Sequence, residues 1–353
     1  MIRANTLKKL LANKKIGTTA AVILLFNAGT GPAIPFTPAI FSNPGYLPTT
    51  LAFLLFTMVS GFSCLFIIEA MQSIPGNSCF QGEIQFGTLI NFYFGPVTHG
   101  IGQLLLYFSI ISNIIQGIVL ASQSIDWLII DLFSKTCGLT WTFKWICTAR
   151  PIETSLPSPF ELTFMVFTLG LLVVVALSLP LGLSNLDDNL FVQYFAFAVS
   201  LLIGIQWISS SPSYSILRIP AATDFTRNYK NYGCICGTIM LNLSLTTIIP
   251  TWINIKKSKV NAQKTVWSAL SVTCAYYVIL GLFLAAAFDT DLSQSNEGNI
   301  LTILNSKGIP PILTKISVYA FTFFMLIPSI PVNMIIAKQN LSQTETPMCI
   351  FKK

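Results

Sequence analysis

The residues best placed to do chemistry carry no ionisable group. Asn27-Ala28-Gly29-Thr30-Gly31-Pro32-Ala33-Ile34-Pro35 sets two glycines and two prolines inside a long apolar stretch. Glycine loosens a helix and proline removes a backbone donor, so a helix through these residues must break. Backbone groups freed in an apolar medium are costly unless they face protein or a wet cavity. A second interruption reads Asn242-Leu243-Ser244, with Pro250 following. The chemistry that two such breaks offer is recognition. Unpaired N–H groups and a positive helix end suit a carboxylate, and freed carbonyls suit an ammonium or a metal cation. A molecule with both charges on one carbon, such as an amino acid, fits without any charged side chain.

The titratable residues give less. Glu69 closes the second apolar stretch, as an interfacial group or a coupling proton site. Asp126 lies inside the third, where an ionisable residue is a functional hypothesis, although a water-exposed vestibule accounts for it equally. His99, the sole histidine, stands at a helix start with a capping role or a proton-coupling one. Asp187-Asp188 reads as a solvated turn that caps the next helix. Cys234 and Cys236 form CxC, and with one histidine the chain has little for a zinc site. Paired aspartates or a His–Ser pair for hydrolysis are lacking within the apolar stretches, so the reading is not an enzyme, with no cofactor. Cys137 and Cys147 flank a loop holding Trp141 and Trp145. They pair in an oxidising compartment or remain thiols.

The elements that position these residues follow from composition. The 353 residues are 53% hydrophobic and 9% charged, against about 25% charged in a soluble domain. Charge is absent between Lys15 and Glu69, Glu83 and Asp126, Glu161 and Asp187, Asp188 and Arg218, Lys230 and Lys256, Lys264 and Asp289, and Lys315 and Lys338. A crossing needs about 20 apolar residues, and the first gap holds two. About eight transmembrane helices are predicted, in an all-α polytopic membrane protein. They cover 16–41, 47–71, 99–133, 160–181, 190–210, 232–255, 266–288 and 316–337, with a short interfacial helix over 81–94. The first stretch is read as a retained helix and not as a signal peptide.

The net charge of +7 is explained by topology and not by a nucleic-acid partner. Arg3, Lys8, Lys9, Lys14 and Lys15 precede the first span. Lys256, Lys257, Lys259 and Lys264 fill one loop, and Lys338, Lys352 and Lys353 lie near the end. With eight spans and a cytoplasmic N-terminus all three clusters face the cytoplasm, as the positive-inside rule requires. Residues 1–15 are then a cytoplasmic basic tail, 16–338 the transmembrane domain and 339–353 a second cytoplasmic tail.

The series of motifs resembles the amino acid/auxin permease family, the amino acid transporter transmembrane domain, and most of all its microbial-eukaryote branch. The resemblance rests on Gly29-Thr30-Gly31-Pro32-Ala33-Ile34-Pro35, Glu69-Ala70-Met71 with Ile74-Pro75-Gly76-Asn77, Ser122-Gln123-Ser124-Ile125-Asp126 and Lys135-Thr136-Cys137-Gly138-Leu139. Asp187-Asp188-Asn189, Thr246-Thr247-Ile248-Ile249-Pro250-Thr251-Trp252 and Ile330-Pro331-Val332 continue it in order. It implies a LeuT-like inverted-repeat fold, matching breaks in helices 1 and 6, and amino acid symport driven by protons or sodium in a plasma membrane or a vacuolar/lysosomal-type membrane. Substrate would meet the backbone around Gly29, Thr30, Gly31 and Ala33, with Asn242, Leu243 and Ser244 completing the pocket. Ser329 would be the hydroxyl nearest a coupling cation. The family continues for three further spans, so the second repeat would be incomplete and apolar surface on spans 3, 6 and 8 left uncovered. The rival reading is a truncated, transport-dead member acting as a binding or regulatory membrane protein. Three more apolar spans in frame beyond Lys353 in the transcript would remove its main support.

Overall fold

The computed structural model describes residues 16–42, 45–80, 82–149, 158–160, 163–183, 190–210, 232–294, 298–306 and 312–344. The basic tail 1–15, the Asp187-Asp188 turn, the loop 211–231 and the chain after 344 lie outside the described residues.

The first span is broken. Helix α1 (Thr18–Gly29) passes through a short 3-10 turn (Ile34–Phe36) into α2 (Thr37–Ser42), and the two halves are bent by 55°. Helix α3 (Tyr46–Ser73) returns. Helix α4 (Phe86–Phe133) is kinked at Gly95, where φ is 81° and Pro96 follows. The kink separates the expected interfacial helix from the third span. His99 lies just past it, and its Nδ1 is 2.9 Å from the Gly87 carbonyl oxygen, which ties the two arms of the kink together.

The fourth span departs from expectation. Strands β1 (Thr136–Thr140), β2 (Trp145–Thr148) and β3 (Met165–Thr168) form an antiparallel sheet in the order β2-β1-β3, and α5 (Leu169–Leu183) begins only after it. The molecule is therefore not purely α-helical. At 15 residues, α5 spans about 22 Å, short of a hydrocarbon layer of about 30 Å. Cys137 and Cys147 are register partners on β1 and β2 and form a disulfide.

Helix α6 (Leu190–Ser209) follows. The next span is broken again, as α7 (Tyr232–Asn242), a 3-10 turn (Leu245–Thr247) and α8 (Ile249–Ile255). Helix α9 (Ala262–Gln294) kinks at Phe288, the expected end of the seventh span, and α10 (Ile300–Ser306) occupies part of the expected acidic loop. Helix α11 (Ile312–Phe321), a π-turn (Thr322–Leu326) and α12 (Ile327–Thr344) form the last pass, which continues beyond the expected boundary at Lys338. The π-turn falls where Pro328 lacks the N–H that would bond one turn back.

Among the described residues, six helices are long and apolar enough to cross a membrane, and the bent pair α1–α2 makes seven. The molecule is thus a largely helical, polytopic membrane protein, and its described residues hold fewer full-length spans than eight. Contacts sort the loops onto two ends. Ile16 pairs with Lys256, Ile84 with Asn254, Gln85 with Gln339, and Lys338 with the Leu183 carbonyl at the proximal end. At the distal end Lys315 bonds Asp131, and Ser210 bonds Thr314. Lys256, expected in a loop facing the cytoplasm, is buried. Its ammonium donates to the Val260 carbonyl at 3.2 Å and stands over the Phe80 ring.

Packing relies on close approach rather than polarity, as expected where lipid competes with protein for apolar faces. Phe41, Phe53 and Tyr277 stack in series at centroid distances of 5.7 and 5.4 Å. Of the spans 3, 6 and 8 expected to carry some uncovered apolar surface, α4 exposes Val97, Ile101, Leu105 and Phe108, α7 exposes Met240 and α11 exposes Ile312, Leu313 and Ile316, while the rest of the sixth and last passes is largely buried.

Asp126 is 2% exposed, which rules out the vestibule reading. Its Oδ1 accepts the Thr136 hydroxyl at 2.9 Å and the Gly170 N–H at 2.8 Å. One carboxylate thus fastens β1 and caps α5 at its positive end. The approach demands glycine, because a Cβ at position 170 would lie 2.3 Å from the Ser122 carbonyl oxygen. Gly170→Ala should lower stability by about 2 kcal/mol, visible as a reduced Tm of the detergent-solubilised protein. An unchanged Tm would contradict this packing.

Candidate functional site

Each break frees carbonyls, and a hydroxyl on a packed neighbour meets them. At the first, the Tyr277 hydroxyl from α9 donates to the Gly29 carbonyl at 2.8 Å. Within the span, Thr30 donates to the Phe26 carbonyl at 2.8 Å and Thr37 to the Ala33 carbonyl at 3.1 Å. At the second, the Ser60 hydroxyl from α3 donates to the Leu243 carbonyl. Ser244, at φ −77° and ψ 67°, makes an inverse γ-turn, with the Leu245 N–H on the Leu243 carbonyl at 2.9 Å. Among the described residues, the N–H groups of Gly31, Ala33 and Ser244 make no backbone hydrogen bond.

The two breaks open onto one cavity of about 40 Å³, lined by α1, α4, α6, α12 and the 3-10 turn after α7. By volume it holds about three water molecules. Its polar lining is neutral: Asn27, Asn113, Gln193, Ser244, Thr247, Ser329 and Asn333, with Gly31 and Pro32 supplying backbone. Asn27 donates to the Gln193 backbone carbonyl and to Gln193 Oε1, both at 2.8 Å. Both amide hydrogens are thereby used. Asn27 Oδ1 is buried and makes no hydrogen bond among the described residues; the same holds for Asn242 Nδ2 and Thr273 Oγ1. The wall beside the π-turn is apolar, from Phe324, Met325 and Val332.

The expected site residues divide. Gly31, Ser244 and Ser329 line the cavity together, and a Cβ at Gly31 would lie 3.4 Å from Ser329 Cβ. The Ser329 hydroxyl donates to the Leu326 carbonyl at 2.7 Å. Gly29, Thr30, Ala33, Asn242 and Leu243 stand behind that lining. Gly29 is packed against Thr273 and Leu245, and Thr30 and Leu243 are fully or nearly fully buried. They shape the breaks and do not face the cavity. Glu69 is exposed near the proximal end of α3, away from the cavity. The half-helices after the breaks, of six and seven residues, offer a few N–H groups rather than a long helix dipole.

Sequence reasoning missed Asn27, Asn113, Gln193 and Asn333 as lining residues, and Ser60 and Tyr277 as supports. Asn27 and Gln193 had a legible signal, a carboxamide within an apolar span. Tyr277 and Ser60 had none, because nothing in a sequence says which hydroxyl meets which carbonyl. The Asp131 ion pair was also missed. Asp131 Oδ2 accepts from Lys315 at 3.2 Å and from the Tyr319 hydroxyl at 2.6 Å, tying α4 to α11.

No protein-family model matches the sequence, and no curated protein matches it either.

Tyr277→Phe leaves the Gly29 carbonyl buried without its donor. The expected cost is about 1–3 kcal/mol, measured as a drop in Tm with the helical circular dichroism retained below the transition. A Tm equal to the parent's would show that this bond does not hold the break.

Proposed function

We propose that this chain is a secondary active transporter of amino acids, of the amino acid/auxin permease type, driven by a proton or sodium gradient. The observation that carries the reading is the convergence of two helix breaks, in spans 1 and 6, on one neutral polar cavity. Free N–H groups at Gly31 and Ser244 suit a carboxylate, and the Asn27 side-chain oxygen suits an ammonium. Those two groups together are the common part of every α-amino acid. The spacing of the breaks supports a LeuT-like five-plus-five arrangement, in which the matching helices of each repeat meet at the substrate. Ser329, across from Gly31, is the hydroxyl we assign to a coupling cation between span 1 and span 8.

The mechanism follows from differential contacts. Binding of a zwitterion would replace water at the breaks and bridge α1 to the turn after α7. A ligand shifts a conformational equilibrium only by its unequal affinity for the two states. A site built from two separate half-helices changes whenever the halves rotate, so bound substrate favours the arrangement that closes around it.

Uptake of labelled amino acids into proteoliposomes, with and without an imposed proton or sodium gradient, tests the reading. Saturable, gradient-driven uptake of at least one amino acid is expected. Its absence for every amino acid, with the protein folded and inserted, would favour a binding or regulatory membrane protein instead. Gly31→Ala should retain uptake within about tenfold, because its Cβ meets Ser329 at ordinary contact distance. Gly31→Phe should abolish uptake while leaving insertion intact. Full activity of Gly31→Phe would place the substrate elsewhere.

A further inference from the structure

The last pass measures depth at the distal end. Lys315 and Lys338 bracket it with no charge between them, and their separation is about 34 Å of helix, close to the roughly 30 Å of a hydrocarbon layer. Lys315 bonds Asp131, which puts Asp131 at the upper boundary. Asp126 lies on the same helix about 7 Å deeper. Ser124, bonded to Thr322 of the last pass at 2.6 Å, gives a similar depth independently. Asp126 in turn holds Thr136 of β1 and the N–H of Gly170. The sheet therefore starts below the Lys315–Asp131 level, at the edge of the apolar layer, and β1 runs from there toward the distal side.

Its exposed side chains suit that level. Trp141, Phe143, Trp145 and Phe164 are 78, 84, 62 and 88% exposed. Leu132 and Phe133, at the end of α4 where the chain enters the sheet, are exposed as well. Residues 134–149 include two charges, Lys135 and Lys144, both exposed, and no acid. Tryptophan gathers at membrane interfaces because its ring is apolar with one polar edge, and lysine reaches from an apolar surface to a charged one. The short fourth pass fits as well. Strand β3 adds about 13 Å to the roughly 22 Å of α5, so strand and helix together cross what the helix alone does not.

We propose that the disulfide-closed hairpin β1–β2 is a phospholipid-binding surface lying in the headgroup zone of the distal leaflet. Trp141, Phe143, Trp145 and Phe164 rest at the acyl boundary, and Lys135 and Lys144 meet lipid phosphates. The free edge of β2 stays in the hydrated headgroup layer, where water satisfies its backbone. The proposal is independent of what the central cavity carries.

The full chain in phosphatidylcholine vesicles brominated high on the acyl chains provides the test, with W141Y/W145Y giving the hairpin tryptophan emission by difference. Bromolipid should lower that component by about twofold, with aqueous iodide having little effect, as for interfacial tryptophan. Strong iodide quenching with bromolipid inert would overturn it and leave the surface for a protein partner. Hydroxyl-radical labelling of the unsubstituted protein in the same vesicles needs no variant. Weak labelling of Trp141 and Trp145 supports the proposal, and labelling as strong as in a free peptide defeats it.

Discussion

A helix broken inside an apolar layer leaves carbonyls that no water reaches, and everything at the centre of this protein follows from supplying them with donors. An unsatisfied backbone group there costs several kcal/mol, so a break persists only where a neighbour brings a hydroxyl. Tyr277 does this for Gly29 and Ser60 for Leu243. Both donors come from long helices, α3 and the part of α9 before its kink at Phe288, which pack directly on the broken spans. The regular helices thus form a frame whose task is to hold two irregular ones open toward each other. Not every polar group is consumed, and the remainder, neutral and convergent, is the cavity.

The same economy governs the few charges. Asp126 is buried yet serves three elements at once, through Thr136 and the N-terminus of α5 as well as its own helix. Asp131 and Lys315 neutralise each other at the distal end of the bundle, and Lys256 is covered by a carbonyl and an aromatic ring at the proximal end. None of these groups reaches the central cavity. Recognition there rests on backbone and carboxamides, which keep their polarity at any physiological pH.

The sheet at the distal end shows how composition misleads when geometry changes. The run from Phe160 to Leu181 is apolar enough for a helix. Yet Met165–Thr168 pairs with β1 as a strand because Asp126 and the Gly170 contact set the start of α5 at that point. Local hydropathy has no access to a carboxylate more than forty residues upstream. The expectation of uncovered apolar surface on spans 6 and 8 holds only at a few positions, for a related reason. It counted missing partners without knowing that the π-turn and α12 pack against α4 and α5.

By itself, the sequence determined that the chain is a polytopic membrane protein, where most crossings begin and end, and that spans 1 and 6 break. Those are consequences of charge placement, hydrophobic length, glycine and proline, which act locally. It also marked Cys137 and Cys147 as a possible pair. The tertiary structure alone decided that the two breaks share one cavity and that Gly31, Ser244 and Ser329 face it while Gly29, Thr30 and Leu243 do not. It decided too that Asn27 and Gln193 join there and that Tyr277 and Ser60 hold the breaks open. These depend on which helix faces lie opposite across the bundle, and an apolar helix in lipid carries little hydrophobic pattern to say which face turns inward.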